Sequence, residues 1–127
     1  MLDWTKYPNF TADEFDCSHT GENEMQAEFM DKLQALRTEY GKPMVITSGY
    51  RSPEHPAERD KPIKGAHTMG KACDVFVSGE DAWLLVVLAH KHGFTGCGVK
   101  QKGSSRFIHL DTATIADGLP RPAFYSY

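Results

Sequence analysis

The sequence predicts one domain that mixes α and β structure, and three observations predict it. Apolar residues recur at three- and four-residue steps in two stretches, 23–40 and 78–92, which is the period of an amphipathic helix. Short apolar runs at 44–47, 72–77 and 106–111, bounded by glycine, proline and charge, read as strands, and the glycine-rich 94–99 holds a fourth. The 127 residues are one domain's length of chain, enough for a modest core without obligatory disulfides.

Composition narrows the class. Hydrophobic content of 40% and charged content of 24% are ordinary for a folded soluble chain. A formal charge of −3 leaves no basic surplus pointing to nucleic acid or an anionic membrane. The longest strongly apolar run, Ala82 to Ala89, is too short to span a bilayer, so no membrane insertion is expected, and a monomer is. The opening MLDWTKYPNF lacks the apolar centre of a signal peptide. The expectation is synthesis in a cytoplasm, with any action outside it depending on release by something else. Three cysteines, Cys17, Cys73 and Cys97, are an odd number at wide spacing, which argues against a disulfide framework and against a zinc finger.

In chain order, residues 1–22 form an irregular arm pinned by Trp4, Tyr7, Phe10 and Phe15, with a capping box at Thr11 and Glu14. The first helix runs from about Asn23, its cap, to Tyr40, with Met25, Phe29, Leu33, Leu36 and Tyr40 as its stripe. Gly41 stops it and Pro43 prevents its return. Met44 to Thr47 reads as a buried strand, followed by a charged loop over 54–66. In the strand 72–77, alternation puts Ala72, Asp74 and Phe76 on one face and Cys73, Val75 and Val77 on the other.

Ser78 and Asp81 make a capping box for the second helix, whose inner face reads as Trp83, Leu84, Val87, Leu88 and Lys91. Gly93 ends it, with His90 and His92 in its last turn as surface groups. Over 106–111, Phe107, His109 and Asp111 share a face, opposite Arg106, Ile108 and Leu110. The tail 112–127 is expected to wrap the surface.

The chemistry concentrates around His67-Thr68-Met69-Gly70-Lys71-Ala72-Cys73-Asp74. An imidazole and a carboxylate stand seven residues apart, and His109 lies far downstream. Two histidines and a carboxylate can hold zinc and leave a fourth position for water. Asp74, a carboxylate inside an apolar strand, needs a metal, a cation or strong hydrogen bonds. Ser48 to Pro53 follows a strand and is natural wall material for a site, and Arg51 within it can bind a carboxylate through two parallel bonds. His19 reads as surface. A thiol nucleophile at Cys97 or Cys17 is the rival chemistry.

The combination resembles the zinc peptidases of the D-alanyl-D-alanine carboxypeptidase group, the M15 family. Ser48 to Ser52 is its S-G-Y-R-S. His67, Gly70, Ala72 and Asp74 fill its H-x-x-G-x-A-x-D, and His109 with Asp111 its later H-x-D. Phe10-Thr11-x-x-Glu14-Phe15-x-Cys17 is similar to its N-terminal segment, so the likeness covers roughly 8–113. It implies an α+β fold with a small antiparallel sheet flanked by helices, hedgehog and D-Ala-D-Ala-peptidase-like. It also implies one zinc on His67, Asp74 and His109, and cleavage of peptidoglycan peptides as partner and substrate. Ser48, Tyr50 and Arg51 become substrate-binding candidates, with Arg51 and Asp111 as catalytic ones.

One departure stands out. Several branches carry a carboxylate base three residues before the final histidine, where this chain has Arg106. Asp111 then either orients His109 or takes a proton from water. A zinc-containing module that binds wall without cutting it is the alternative. A compact catalytic domain of this kind is similar to phage lysis enzymes, which reach the wall through a separate membrane pore; a virion-borne or wall-remodelling role is also consistent.

Overall fold

A computed structural model describes residues 2–127. Two short 3-10 turns, Trp4–Lys6 and Ala12–Phe15, precede α1 (Ala27–Tyr40), β1 (Val45–Ser48), β2 (Ala72–Phe76), α2 (Gly79–Lys91), β3 (Gly96–Lys100) and β4 (Phe107–Asp111). A third turn, Ile115–Asp117, leads to β5 (Ala123–Ser126). The strands form one sheet in the order β1-β2-β4-β3-β5. The first three pairings are antiparallel and β3 with β5 is parallel, so the α+β class holds with a mixed sheet.

Cross-strand partners share a face, and the register divides the sheet cleanly. Cys73, Val75, Ile108 and Leu110 are buried in a core with Phe29, Leu33 and Leu36 of α1 and Ala82, Leu85 and Ala89 of α2. Phe94, just after α2, meets Phe29 edge-on with ring centroids 5.9 Å apart. The N-terminal arm is pinned as its aromatics predict: Tyr7, Phe10 and Phe15 are buried. The Thr11–Glu14 capping box is present, with the Thr11 amide donating to the Glu14 carboxylate at 2.7 Å.

Several expectations are corrected. α1 begins at Ala27, because the Asn23 amide is used elsewhere: it donates to the Ala12 carbonyl and accepts from the Met25 amide. β1 is an edge strand, with Val45 55% exposed, rather than buried. Ser78 makes no side-chain capping bond, and Asp81 pairs with Lys42.

The buried face of α2 is Ala82, Leu85, Leu88 and Ala89, while Trp83 and Val87 are exposed and Lys91 pairs with Glu39 at 2.7 Å. This helix is apolar on more than one side, so two stripes satisfy the helical period. The one carrying two small alanines comes inward, since small side chains permit closer packing. The tail does more than cover the surface, because Ala123–Ser126 pairs with β3 over its whole length.

Candidate metal centre

One row of the sheet builds the site. Ser48, Asp74, His109, Gly98 and Tyr125 are successive register partners across all five strands, so they share the face opposite the helices. His67 joins them from the turn before β2. Its Nδ1 donates to the Gly49 carbonyl at 2.8 Å, and its own carbonyl accepts from the Arg51 amide at 3.2 Å. The segment after β1 and the histidine turn are thereby locked together.

His67 Nε2, His109 Nδ1 and Asp74 Oδ1 form a triangle with sides of 3.2, 3.3 and 3.1 Å. All three residues are buried. Bonds to zinc of 2.0–2.1 Å at tetrahedral angles put neighbouring donors about 3.3 Å apart, which matches. The protons decide the point further. His67 commits Nδ1–H to Gly49, and His109 commits Nε2–H to Asp111 Oδ2 at 2.6 Å. In the neutral rings the two inward nitrogens therefore carry lone pairs, and Asp74 adds a carboxylate. Three lone pairs converging in a buried space repel one another unless a cation sits between them.

Charge is held around this triangle. With no cation between them, a proton taken up by the His109 or His67 ring bonds to Asp74, which outweighs the burial that opposes its ionisation and keeps its carboxyl well below the usual range. Asp111 also overcomes burial, through His109 and Arg121, and titrates at about 2. The Asp111 side chain is fully buried and every direction is taken. Oδ1 accepts from Arg121 Nε at 2.9 Å and the Ala113 amide at 3.2 Å, and Oδ2 accepts from His109 and from Arg121 Nη2 at 2.8 Å.

The triangle opens onto a pocket of about 250 Å³. Arg51, Lys61 and Glu58 form part of its wall, and Arg121, Tyr125 and Tyr127 another. Arg51 Nη2 lies 3.6 Å from Asp74 Oδ2, and its Nη1 lies 3.8 Å from Glu58. Glu58 is 1% exposed, with Lys61 Nζ at 2.8 Å, the Gly65 amide at 2.8 Å and the Thr68 hydroxyl at 3.2 Å donating to it.

A family model described as Peptidase M15 matches residues 8–111. The chain belongs to the peptidase M15 family. A search of curated proteins found no match. As an M15 peptidase with a His67–Asp74–His109 donor set fitted to a single zinc ion, it is a zinc metallopeptidase acting on peptidoglycan peptides. Among the described residues no helix is long and apolar enough to cross a membrane.

The structure brings Arg51, Asp111 and the three predicted ligands of this M15 peptidase together. It does not bring Tyr50, which is buried with its hydroxyl donating to Glu24 at 2.9 Å. Ser48 shares the site's row next to Asp74 but does not line the pocket. Arg106 is exposed and bonded through Nε to the Gly103 carbonyl at 2.9 Å, away from His109 as the strand alternation predicts.

None of the three cysteines lines this pocket: burial pushes the Cys97 thiol up to about 11, and at Cys17, itself buried, bonds from Ser52 and Thr20 outweigh burial and bring the thiol down to about 7. His90 is exposed and His92 pairs with Glu39 at 2.7 Å.

Sequence reasoning missed Glu58, Lys61, Arg121, Tyr125 and Tyr127. The last three come from the tail, where the alternation Phe124-Tyr125-Ser126-Tyr127 is a strand signal.

Proposed function

We propose that this peptidase hydrolyses a peptide bond beside a free carboxylate in peptidoglycan stem or cross-bridge peptides. The observation that carries the reading is the Arg51 guanidinium, 3.6 Å from the metal-ligating Asp74 and on the wall of the pocket that exposes the triangle. A carboxylate held by Arg51 through two parallel bonds places the neighbouring peptide bond beside His67 and His109.

Zinc in such a site supplies Lewis acidity, lowering the pKa of water and polarising a carbonyl. Asp111 acts as a positioning residue: with its oxygens filled by His109, Arg121 and Ala113, it fixes the His109 tautomer rather than receiving a proton from solvent. Tyr125 and Tyr127 supply phenol donors and aromatic surface for the substrate.

The reading takes 1–127 as one zinc peptidase domain, monomeric, with 1–22 and 112–127 packed on it. The setting proposed is a bacteriophage lysis enzyme, made in the host cytoplasm and delivered to the wall through a separate membrane pore.

The test is digestion of purified sacculi with product masses read by mass spectrometry. Loss of a single terminal residue identifies a carboxypeptidase, and larger stem or bridge fragments identify an endopeptidase. Arg106, standing where other branches carry a base, favours the alternative of a wall-binding module. Zinc-loaded protein that binds sacculi of several chemotypes and releases nothing would establish that alternative.

A further inference from the structure

The family match ends at Asp111, the last residue of β4. The group that fixes the Asp111 carboxylate lies beyond it. Arg121 reaches back ten residues and grips both oxygens with a guanidinium fork, Nε to Oδ1 at 2.9 Å and Nη2 to Oδ2 at 2.8 Å. Its remaining Nη1 donates to the Pro120 carbonyl at 2.7 Å. The pair is dry, with the Arg121 side chain 9% exposed and that of Asp111 at 0%.

We infer that Arg121 is a positioning residue of the metal centre, acting through Asp111 on His109. Two parallel bonds fix the plane of a carboxylate, where a lysine's point charge would leave it free to turn. With that plane fixed, Oδ2 sets the direction of the His109 Nε2–H, and the ring's other nitrogen is aimed at Asp74 Oδ1 and His67 Nε2. Arg121 itself is held by its neighbours in the chain. Pro120 and Pro122 flank it and restrict the backbone, and the next residue, Ala123, donates its amide to the Thr95 carbonyl at 2.9 Å as β5 joins β3. The segment that leads into the C-terminal strand thus supports the zinc site although it supplies no ligand.

The inference rests on the zinc reading and is tested by affinity rather than by turnover. Zinc dissociation constants are measured by competition with a chromophoric chelator for wild type, Arg121→Gln, Arg121→Lys, Asp111→Asn and the double variant Asp111→Asn/Arg121→Gln. Melting temperatures of the zinc-free forms report folding separately.

The expected result is affinity weakened about 10–100-fold by Arg121→Gln, the range for groups that orient a ligand. Arg121→Lys should recover part of the loss. In the Asp111→Asn background Arg121→Gln should change affinity by no more than about twofold, because the route through the carboxylate is already cut. Wild-type affinity in Arg121→Gln, or equal losses in both backgrounds, would overturn the inference while leaving the zinc site standing. A lowered zinc-free melting temperature with unchanged affinity would do the same, showing a purely structural ion pair. If Arg121→Gln does not fold, the cycle is completed with Arg121→Lys, and equal losses in its two backgrounds overturn the inference likewise. Wild type that takes up no zinc overturns both readings.

Discussion

Gly96 and Asp111 face each other across β3 and β4, and the space left by the glycine holds the carboxylate. A Cβ built at Gly96 would stand 2.2 Å from Asp111 Oδ1 and 2.3 Å from its Cγ. The carboxylate cannot step aside, because His109 and Arg121 hold it from two directions. Gly96→Ala should therefore weaken zinc binding by at least about tenfold, comparable to direct loss of a ligand-orienting group. Chelator competition checks it, and unchanged affinity would show that the carboxylate is not pinned.

Gly98 provides the contrast one row further along β3. Its added Cβ would lie 2.7 Å from the Tyr125 ring and 2.9 Å from that of Tyr127, with no metal ligand among the nearest atoms. Gly98→Ala should displace the tyrosine wall of the pocket and leave zinc content near wild type. The expected kinetic signature is a raised KM on a wall peptide. Loss of zinc in this variant would mean that the rings support the ligands instead of the substrate.

Arg51→Ala should separate substrate binding from folding. Its two ion pairs are long, at 3.6 and 3.8 Å, so the melting temperature should stay within about 5 °C of wild type. On a peptide with a free carboxylate, kcat/KM should fall by about 10²-fold, the scale of a lost charge-assisted bidentate contact. Equal kinetics for wild type and variant would remove Arg51 from the substrate site.

Glu58 gives a pH prediction. Burial works against its charge, but Lys61, the Gly65 amide and Thr68 outweigh it, and its pKa falls below the ordinary 4.5. A carboxylate whose pKa is lowered on folding stabilises the protein above its unfolded pKa, and that contribution disappears as pH falls through the folded value. Zinc-free wild type should lose stability below about pH 4.5 more steeply than zinc-free Glu58→Gln, which has no such proton to bind. Denaturant melts across pH 3–7 compare the two, and parallel curves would show that the carboxylate is not held ionised by its neighbours.

How much of this was readable in the sequence depends on the range of each signal. The three ligands were legible through the resemblance to the M15 motifs, His67, Gly70, Ala72 and Asp74 in one and His109 with Asp111 in another, and strand alternation, a local signal, supported two of them. Asp74 is a carboxylate in an apolar run, and His109 shares its face with Asp111 by a spacing of two. The rotation of α2 was not, since Trp83 and Val87 satisfy the same period as Ala82 and Leu85, and only packing chooses between them. The start of α1 was misplaced because the polar group of Asn23 suits a cap but finds Ala12 and Met25 first. The role of the tail was hidden for a third reason. β5 pairs with a strand that begins 27 residues earlier, and Arg121 looks like a surface charge until β5 is docked.

The central claim is that His67, Asp74 and His109 hold one zinc ion. Elemental metal analysis of the purified protein, beside His67→Ala and His109→Ala, tests it most directly. The account predicts near one equivalent of zinc per chain in wild type and a sharp loss in each variant. Full zinc retention in both variants, or none in a folded wild type supplied with zinc, would contradict it.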